Sequence, residues 1–285
     1  MNSVSGGNNN WWTWNLEVKP FPEESVFRVD LCPTEPVRQM SFQDAADYTA
    51  ELIAQKFKNL HVAMGGGLDS EFVATVLLRN NIPFVPVVGY IKNSKNVDFH
   101  YALEWCHQHS LTPKLIEFEL DDPRLVKQAM AVASTYHLER SRLYIALAII
   151  DYISSVGGHA LTGDPSIGYT DTDENFYNGI GDTFEIWPVE LMPTAFNPSH
   201  PGAFFFYTPE LVLAQATELD TTLNDSRSRS KLYQIPFKPK TWPPLALSDS
   251  TRLKIKQQFN IHKYSNPKHY SWAKQDLIRL LNSNC

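Results

Sequence analysis

Three adjacent glycines followed by an acidic residue form the feature that most constrains the fold of this chain. An apolar run at 60–63 precedes them, and apolar residues at helical spacing follow at Phe72, Val73, Val76 and Leu77. This order predicts a buried strand, a glycine loop and a helix. Backbone N–H groups can converge on an anion where no Cβ is in the way, and the start of the helix adds partial positive charge. The pattern therefore predicts a phosphate-binding loop made of Met64, Gly65, Gly66, Gly67, Leu68, Asp69 and Ser70.

This loop differs from two common phosphate-binding motifs. It contains no lysine, which excludes the Gly-Lys-Ser/Thr motif, and it lacks the G-x-G-x-x-G spacing of dinucleotide-binding proteins. Asp69 places a carboxylate beside the phosphates, which suits a bridging divalent cation and makes Asp69 a candidate metal ligand. The alternative is a glycine-rich turn that binds no ligand, although three adjacent glycines are costly in chain entropy.

The composition and charge of the 285-residue chain exclude several classes of protein. Aromatic residues make up 12%, which argues against disorder, and the net charge of -6 argues against a surface that coats nucleic acid. No apolar run approaches the roughly 18 residues of a membrane span, and the N-terminus lacks the pattern of a signal peptide. The three cysteines, Cys32, Cys106 and Cys285, lack metal-ligand spacing. We therefore expect a cytoplasmic protein with no membrane partner.

The hydrophobic pattern divides the chain into three regions. Residues 1–40 are expected to form an N-terminal extension with a β-hairpin, residues 41–170 a nucleotide-binding core, and residues 171–285 a loop-rich, partly helical region that lines the acceptor site. Within the core, helical segments alternate with apolar runs typical of strands at 60–63, 84–90, 114–120 and 159–162. This alternation favours an α/β fold in which helices cover both faces of a parallel sheet.

Outside the core the predictions concern separate segments. Residues 1–10 are rich in Gly, Ser and Asn and are expected to be mobile, with strands following at 12–18 and 27–31. The aromatic cluster at 204–207 is expected to pack the C-terminal region, and the Arg-Ser repeat at 227–230 to be a solvated surface loop. Helices are expected near 209–218, 248–259 and 271–282.

The glycine loop resembles the S-G-G-x-D-S signature of the PP-loop ATP pyrophosphatases. That superfamily includes asparagine synthetase, NAD synthetase and tRNA-thiolation enzymes. The resemblance implies a Rossmann-like α/β domain that binds ATP together with Mg²⁺. Gly65 stands where the signature has serine, so a hydroxyl that could hold phosphate is missing.

The carboxyl ends of the other predicted strands supply further candidate ligand contacts. Open parallel sheets bind ligands beyond these ends. The positions concerned are Val88, Gly89, Thr162 and Gly163, of which the first two could hold an adenine edge through backbone groups.

The residues after the fourth predicted strand carry a second resemblance. The segment from Leu161 to Asp164 resembles the L-S-G-E motif of the asparagine synthetase branch. The resemblance implies that Asp164 lies near the α-phosphate as a metal ligand or general base, whereas Ile167 replaces the family's next acid. A turn-forming aspartate before Pro165 is the alternative interpretation.

Two basic positions complete the candidate site. Arg142 lies at the start of an apolar helix, where related enzymes often carry an arginine that meets phosphate, and a surface role is the alternative. The segment 237–242 resembles the R-P-K-x-G segment of asparagine and β-lactam synthetases, which implies that Lys240 reaches the pyrophosphate. A surface loop ordered by proline is the other interpretation of that segment.

Together these resemblances imply an AMP-forming ligase that is similar to the synthetase domain of asparagine synthetase and lacks the glutaminase domain. ATP would adenylate a carboxylate or amide oxygen of a small-molecule substrate with release of pyrophosphate, and an amine or ammonia from a separate donor would displace AMP. Asp69, Asp164 and Lys240 would be the catalytic residues, with Mg²⁺ held by the two aspartates.

Two alternatives to this function remain open. One is a nucleotide-binding structural or regulatory protein that has lost turnover, which the departures at Gly65 and Ile167 favour. The other is a PP-loop enzyme that modifies a nucleic-acid base. The acidic balance argues against that enzyme, and so does the absence of the four-cysteine zinc site of the deazaguanine branch.

Overall fold

The computed structural model describes residues 2–17, 26–92, 98–136, 141–163, 168–169, 183–186, 199–223, 225–237, 247–259, 261 and 270–282. In chain order, the strands are β1 (Asn2–Gly6), β2 (Trp12–Glu17), β3 (Val26–Leu31), β4 (Leu60–Ala63), β5 (Phe84–Ile91), β6 (Lys114–Phe118), β7 (His159–Thr162), β8 (Gly168–Tyr169), β9 (Thr183–Ile186), β10 (Gly202–Ala203) and β11 (Tyr270–Ala273). The α-helices are α1 (Phe42–Lys56), α2 (Leu68–Arg79), α3 (Asp98–Gln108), α4 (Pro123–Tyr136), α5 (Ser141–Ser155), α6 (Pro209–Glu218), α7 (Asp225–Tyr233), α8 (Asp249–Gln258) and α9 (Lys274–Asn282).

A parallel sheet of five strands lies at the centre of the described part of the chain, in the order β10-β7-β4-β5-β6. Because side chains alternate along a strand, the neighbours Val87 and Val88 of β5 belong to two different hydrophobic clusters. Residues of α4 and α5 pack in the cluster of Val87, and residues of α1, α2 and α3 pack in the cluster of Val88. Helices therefore cover both faces of the sheet, which confirms the predicted α/β class.

The short strand β10 encloses the end of the strand that carries the second motif. The runs predicted as strands correspond to β4, β5, β6 and β7, whereas β10 has two residues and is too short to give a periodic pattern. It pairs with β7 through Gly202 with Leu161 and Ala203 with Thr162. The carboxyl end of β7 thus lies between β4 and β10.

The N-terminal region is more ordered than its composition indicates. β1 pairs with β2 and β2 with β3 in an antiparallel sheet, so the prediction of a mobile segment at 1–10 is wrong for the strand Asn2–Gly6. Trp11 donates its indole N–H to the carbonyl oxygen of Tyr207 at 3.2 Å, and Trp12 donates to that of Phe206 at 3.1 Å. These two hydrogen bonds attach the extension to the buried aromatic cluster at 204–207.

The C-terminal helices lie close to their predicted positions, except that α9 begins later than predicted and that residues 227–230 are helical. α6 and α8 match their predictions, and α9 begins at Lys274 because the preceding residues Tyr270–Ala273 form β11, which pairs with β9. The expected surface loop at 227–230 is wrong, because these residues lie in α7 and the side chain of Arg229 is only 4% exposed. Arg229 is buried because its side chain has a charged partner, which composition alone does not reveal.

None of the described helices combines the length and the apolar character that crossing a membrane requires. The division of the chain at residues 40 and 170 stays a prediction.

His200 links the sheet to α5 as a neutral imidazole. Its Nδ1 accepts the backbone N–H of Ala160 at 3.1 Å, and its Nε2 lies 2.8 Å from Ser154 Oγ, which itself donates to the carbonyl oxygen of Ile150 at 2.8 Å. Nε2 therefore carries the proton and donates it to Ser154. Burial and the neighbouring ring of His159, 5.9 Å away between centroids, lower the pKa of His200 from its ordinary value of 6.5.

This lowered pKa predicts acid sensitivity. The unfolded chain binds the proton of His200 more readily than the folded chain, so stability is complete above the unfolded pKa and is lost as the pH falls towards the folded one. We expect the free energy of unfolding to fall as the pH drops below the ordinary histidine pKa of about 6.5, with a slope that is shallower in His200→Gln by up to about 1.4 kcal/mol per pH unit. Urea unfolding at several pH values measures this, and His107→Gln, at an exposed position, is the control. Equal slopes in the wild type and His200→Gln would contradict the assignment.

Candidate phosphate-binding site

The glycine loop joins β4 to α2 as the sequence predicts. Met64 continues the sheet for one hydrogen bond by donating its N–H to the carbonyl oxygen of Val87 at 2.8 Å. Ser70 closes the loop, since its Oγ accepts the N–H of Gly65 and donates to the carbonyl oxygen of Gly67, each at 3.2 Å. Among the described residues, no side chain caps the N-terminus of α2. An uncapped helix start beside a glycine loop is suited to an anion.

The three glycines have two different roles. Gly66 has a φ of +75°, and a Cβ at that position would collide with the backbone carbonyl of Asp98, so the fold itself requires glycine there. Among the atoms of the described residues, a Cβ at Gly65 or Gly67 would meet nothing within 4 Å. The space over these two glycines is open and could receive a phosphate group.

The ends of the neighbouring strands lie next to this loop. Thr162 pairs in register with Ala63, the last residue of β4, and it is 3% exposed. Its hydroxyl has no hydrogen-bond partner in the described part of the chain. A Cβ on Gly163 would lie 2.5 Å from Ser70 Cα, so the segment after β7 packs directly on the start of α2. A buried, unpartnered hydroxyl at this position is consistent with a ligand that is held at the loop.

Val88 and Gly89 lie within β5 and not beyond its end, where the sequence argument placed them. β5 continues to Ile91, and the two residues pair with Leu115 and Ile116 of β6. The side chain of Val88 is fully buried. Any contact with an adenine ring must therefore come from backbone groups on the edge that faces Met64, and this role stays a prediction.

Asp69 is held by two residues of α7 that the sequence analysis did not identify as site residues. Arg229 Nη1 donates to both carboxylate oxygens of Asp69, at 2.6 Å to Oδ1 and 2.7 Å to Oδ2. Tyr233 donates its hydroxyl to Oδ1 at 3.0 Å. The side chains of Arg229 and Asp69 are 4% and 15% exposed. The only signal in the sequence is the spacing of four between Arg229 and Tyr233, which puts both on one face of a helix.

An aromatic stack fixes Tyr233 in this position. Its ring lies 4.5 Å from that of Phe72, 5.3 Å from that of Phe205 and 5.6 Å from that of Phe42, all nearly parallel. Since Phe72 belongs to α2, the stack ties α7 to the helix that carries Asp69. The ion pair and the stack therefore form one connected contact.

The arrangement of Asp69 does not fit the predicted magnesium site. A divalent cation is bound through carboxylate oxygens, and both oxygens of Asp69 already accept hydrogen bonds from Arg229. Asp164, the other predicted ligand, lies outside the described residues. Within the residues that are described, no group of three or more His, Cys, Asp or Glu side chains could hold a metal ion.

The remaining predicted site residues divide into buried and undescribed positions. The side chains of Met64 and Leu68 are 2% and 8% exposed, so they can offer a ligand only their backbone groups. Arg142 lies in the first turn of α5, as predicted, and its side chain is outside the description. Lys240 is also outside the described residues.

Comparisons with known proteins find weak similarity to solved structures. No family model and no curated protein matches. Among solved structures, the chain is similar to the NH3-dependent NAD synthetase of Campylobacter jejuni (17% identity, TM-score 0.33, covering 45% of this chain and 58% of that one). It is also similar to NMN synthetase of Francisella tularensis (12%, TM-score 0.37, covering 86% and 94%) and to the U34-tRNA thiolase NcsA of Methanococcus maripaludis (12%, TM-score 0.40, covering 84% and 78%).

The signature that the glycine loop resembles is that of a superfamily that includes NAD synthetase and tRNA-thiolation enzymes. The chain spans less than two thirds of the length of the NAD synthetase. Because the identities and TM-scores are low, the similarities carry no argument about the activity of this chain.

The two roles of the glycines predict a large loss of stability for one alanine substitution and a small change for another. We expect Gly66→Ala to lower the free energy of unfolding by at least about 1 kcal/mol, because Cβ adds both left-handed strain and a backbone collision. Gly67→Ala should stay within about 0.5 kcal/mol of the wild type, because its φ is −87° and the space is open. Urea unfolding of both variants measures the difference. Equal destabilisation would mean that Gly67 is also a structural requirement.

Proposed function

We propose that this chain is a PP-loop enzyme that binds ATP at the glycine loop and adenylates a substrate oxygen. One observation carries the proposal: the open space over Gly65 and Gly67 lies at the uncapped start of α2, beside the buried hydroxyl of Thr162. These groups suit the polyphosphate of a nucleotide, since N–H and O–H donors there meet phosphate oxygens.

The proposed reaction has two steps. A carboxylate or amide oxygen of the acceptor attacks the α-phosphorus, the bond to the bridging oxygen of pyrophosphate breaks, and pyrophosphate leaves against the glycine loop. An amine or ammonia then attacks the activated carbonyl carbon, loses a proton and expels AMP. Catalysis consists mainly of positioning and of stabilising the charge that develops on the leaving group.

The finer assignment is an amide ligation similar to that of asparagine synthetase. It is supported by the sequence resemblance from Leu161 to Asp164 and by the segment that contains Lys240. The acceptor is a small molecule, because the net charge of -6 suits a nucleic acid poorly. The amine or ammonia comes from a separate donor. A cytoplasmic location is part of the proposal, and the free thiol of Cys106 supports it.

A second candidate function is nucleotide binding without turnover. The observation that favours it is the pairing of Asp69 with Arg229, which removes a carboxylate that the signature offers to a metal. Gly65 in place of the signature serine points the same way. Release of pyrophosphate from ATP in the presence of carboxylate and amine substrates separates the two, because only the enzyme produces it.

ATP binding is the first test of the proposal. We expect ATP at 100 times its dissociation constant to raise the free energy of unfolding by about 2.7 kcal/mol, because the ligand binds only the folded chain. Thermal unfolding with and without ATP measures this, and Gly67→Ala should reduce the shift while leaving the unliganded midpoint near that of the wild type. An unchanged midpoint at saturating ATP, both with and without Mg²⁺, would contradict the proposal.

Lys240 provides a test of turnover. We expect Lys240→Ala to slow pyrophosphate release roughly 100- to 1000-fold with little change in ATP affinity, because an added cation is worth most when the leaving group gains charge. Lys238→Ala is the matched control and should have a smaller effect. Release at the wild-type rate by Lys240→Ala would remove this residue from the site.

A further inference from the structure

We propose that Arg229 is the resident cation of the candidate phosphate site. It neutralises Asp69 and makes binding of a phosphorylated ligand at the glycine loop independent of a divalent metal. The inference rests on the proposed function, because it concerns how the same loop accepts the charge of a nucleotide.

The carboxylate of Asp69 places a negative charge beside the loop. Asp69 is the second residue of α2, so its carboxylate lies next to the helix start that would receive phosphate. An uncompensated carboxylate in this partly buried position would repel an anion. A divalent metal is one way to cancel that repulsion, and an arginine is another.

Both oxygens of the Asp69 carboxylate already accept hydrogen bonds. Arg229 approaches both oxygens of Asp69 at 2.6 and 2.7 Å, and Tyr233 occupies Oδ1 as well. A magnesium ion bound to Asp69 would stand beside a guanidinium that keeps its positive charge at any physiological pH. The two cations would repel each other in a site where water screens them poorly. The pair with Arg229 therefore makes a metal on Asp69 unfavourable.

Burial and ring packing hold the pair of Asp69 and Arg229 together. The side chain of Arg229 is 4% exposed, and Tyr233 is clamped between the rings of Phe72, Phe205 and Phe42. Separation of the pair would take the buried carboxylate of Asp69 away from its charged partner, which is strongly unfavourable. Arg229 is thus a fixed part of the site and acts on the ligand through Asp69, as a positioning residue.

The test is calorimetric titration of ATP and of inorganic pyrophosphate, once in EDTA and once in Mg²⁺. The variants are Asp69→Asn, Arg229→Met and the double variant Asp69→Asn with Arg229→Met. Arg227→Met, on the same helix at an exposed position, is the matched control. Mg²⁺ also changes ATP itself, but that effect is common to all variants and cancels when they are compared.

The inference predicts a distinct pattern across these variants. The wild type and Arg227→Met bind ATP in EDTA. Asp69→Asn binds it at least as tightly as the wild type, because the negative charge beside the start of α2 is removed while Arg229 stays. Arg229→Met loses affinity about tenfold or more in EDTA and regains it in Mg²⁺, because the free carboxylate is open to the metal. If Arg229→Met does not fold, the double variant, which buries neither charge, should fold, and the ratio of its ATP affinities in EDTA and in Mg²⁺ should match that of the wild type.

Two outcomes would overturn the inference in distinguishable ways. If the wild type binds ATP only in Mg²⁺ and Asp69→Asn weakens that binding, Asp69 is a metal ligand, and the proposed function stands without this inference. If neither ATP nor pyrophosphate binds to the wild type under either condition, the proposed function fails and the inference fails with it.

Discussion

The ion pair between Asp69 and Arg229 joins parts of the chain that are 160 residues apart in sequence. It connects the first turn of α2, which follows the glycine loop, to α7 in the C-terminal region. Loss of one partner of a buried ion pair typically costs about 3–5 kcal/mol, because the other charge is left without compensation. The position of α7 against α2, and with it the surroundings of the loop, depends on this contact and on the aromatic stack around Tyr233.

The same contact determines what the loop can do chemically. A strand, a glycine loop and an uncapped helix start provide donors for an anion, but the carboxylate of Asp69 opposes that use unless it is neutralised. The fold supplies the neutralising charge from its own C-terminal region. Close packing of Gly163 on Ser70 then brings the end of β7, with the buried hydroxyl of Thr162, to the edge of the same space. Local sequence and distant contacts thus combine at one end of the sheet.

The parts of the fold that the sequence predicts are those with a local physical cause. Strand β4, the loop and α2 follow from apolar spacing interrupted by glycines, and the parallel sheet follows from alternating strands and helices. β1 was missed because its polar residues carry no apolar alternation, whereas its backbone hydrogen bonds to β2 need none. β10 was missed because it has only two residues. Arg229 was missed because periodicity contains no information about a partner at position 69, so a partly buried helix with five Ser and Arg residues in a row looked like a solvated loop.

The central claim is that the glycine loop holds the phosphates of ATP while Arg229 stays on Asp69. The most direct measurement is a crystal structure of the chain with a non-hydrolysable ATP analogue and Mg²⁺. We expect phosphate oxygens in the space over Gly65 and Gly67, within hydrogen-bond distance of backbone N–H groups at the start of α2, and the hydroxyl of Thr162 turned towards them. Arg229 should keep both contacts to Asp69. Phosphates bound elsewhere on the chain, or a magnesium ion on Asp69 with Arg229 displaced, would contradict the claim.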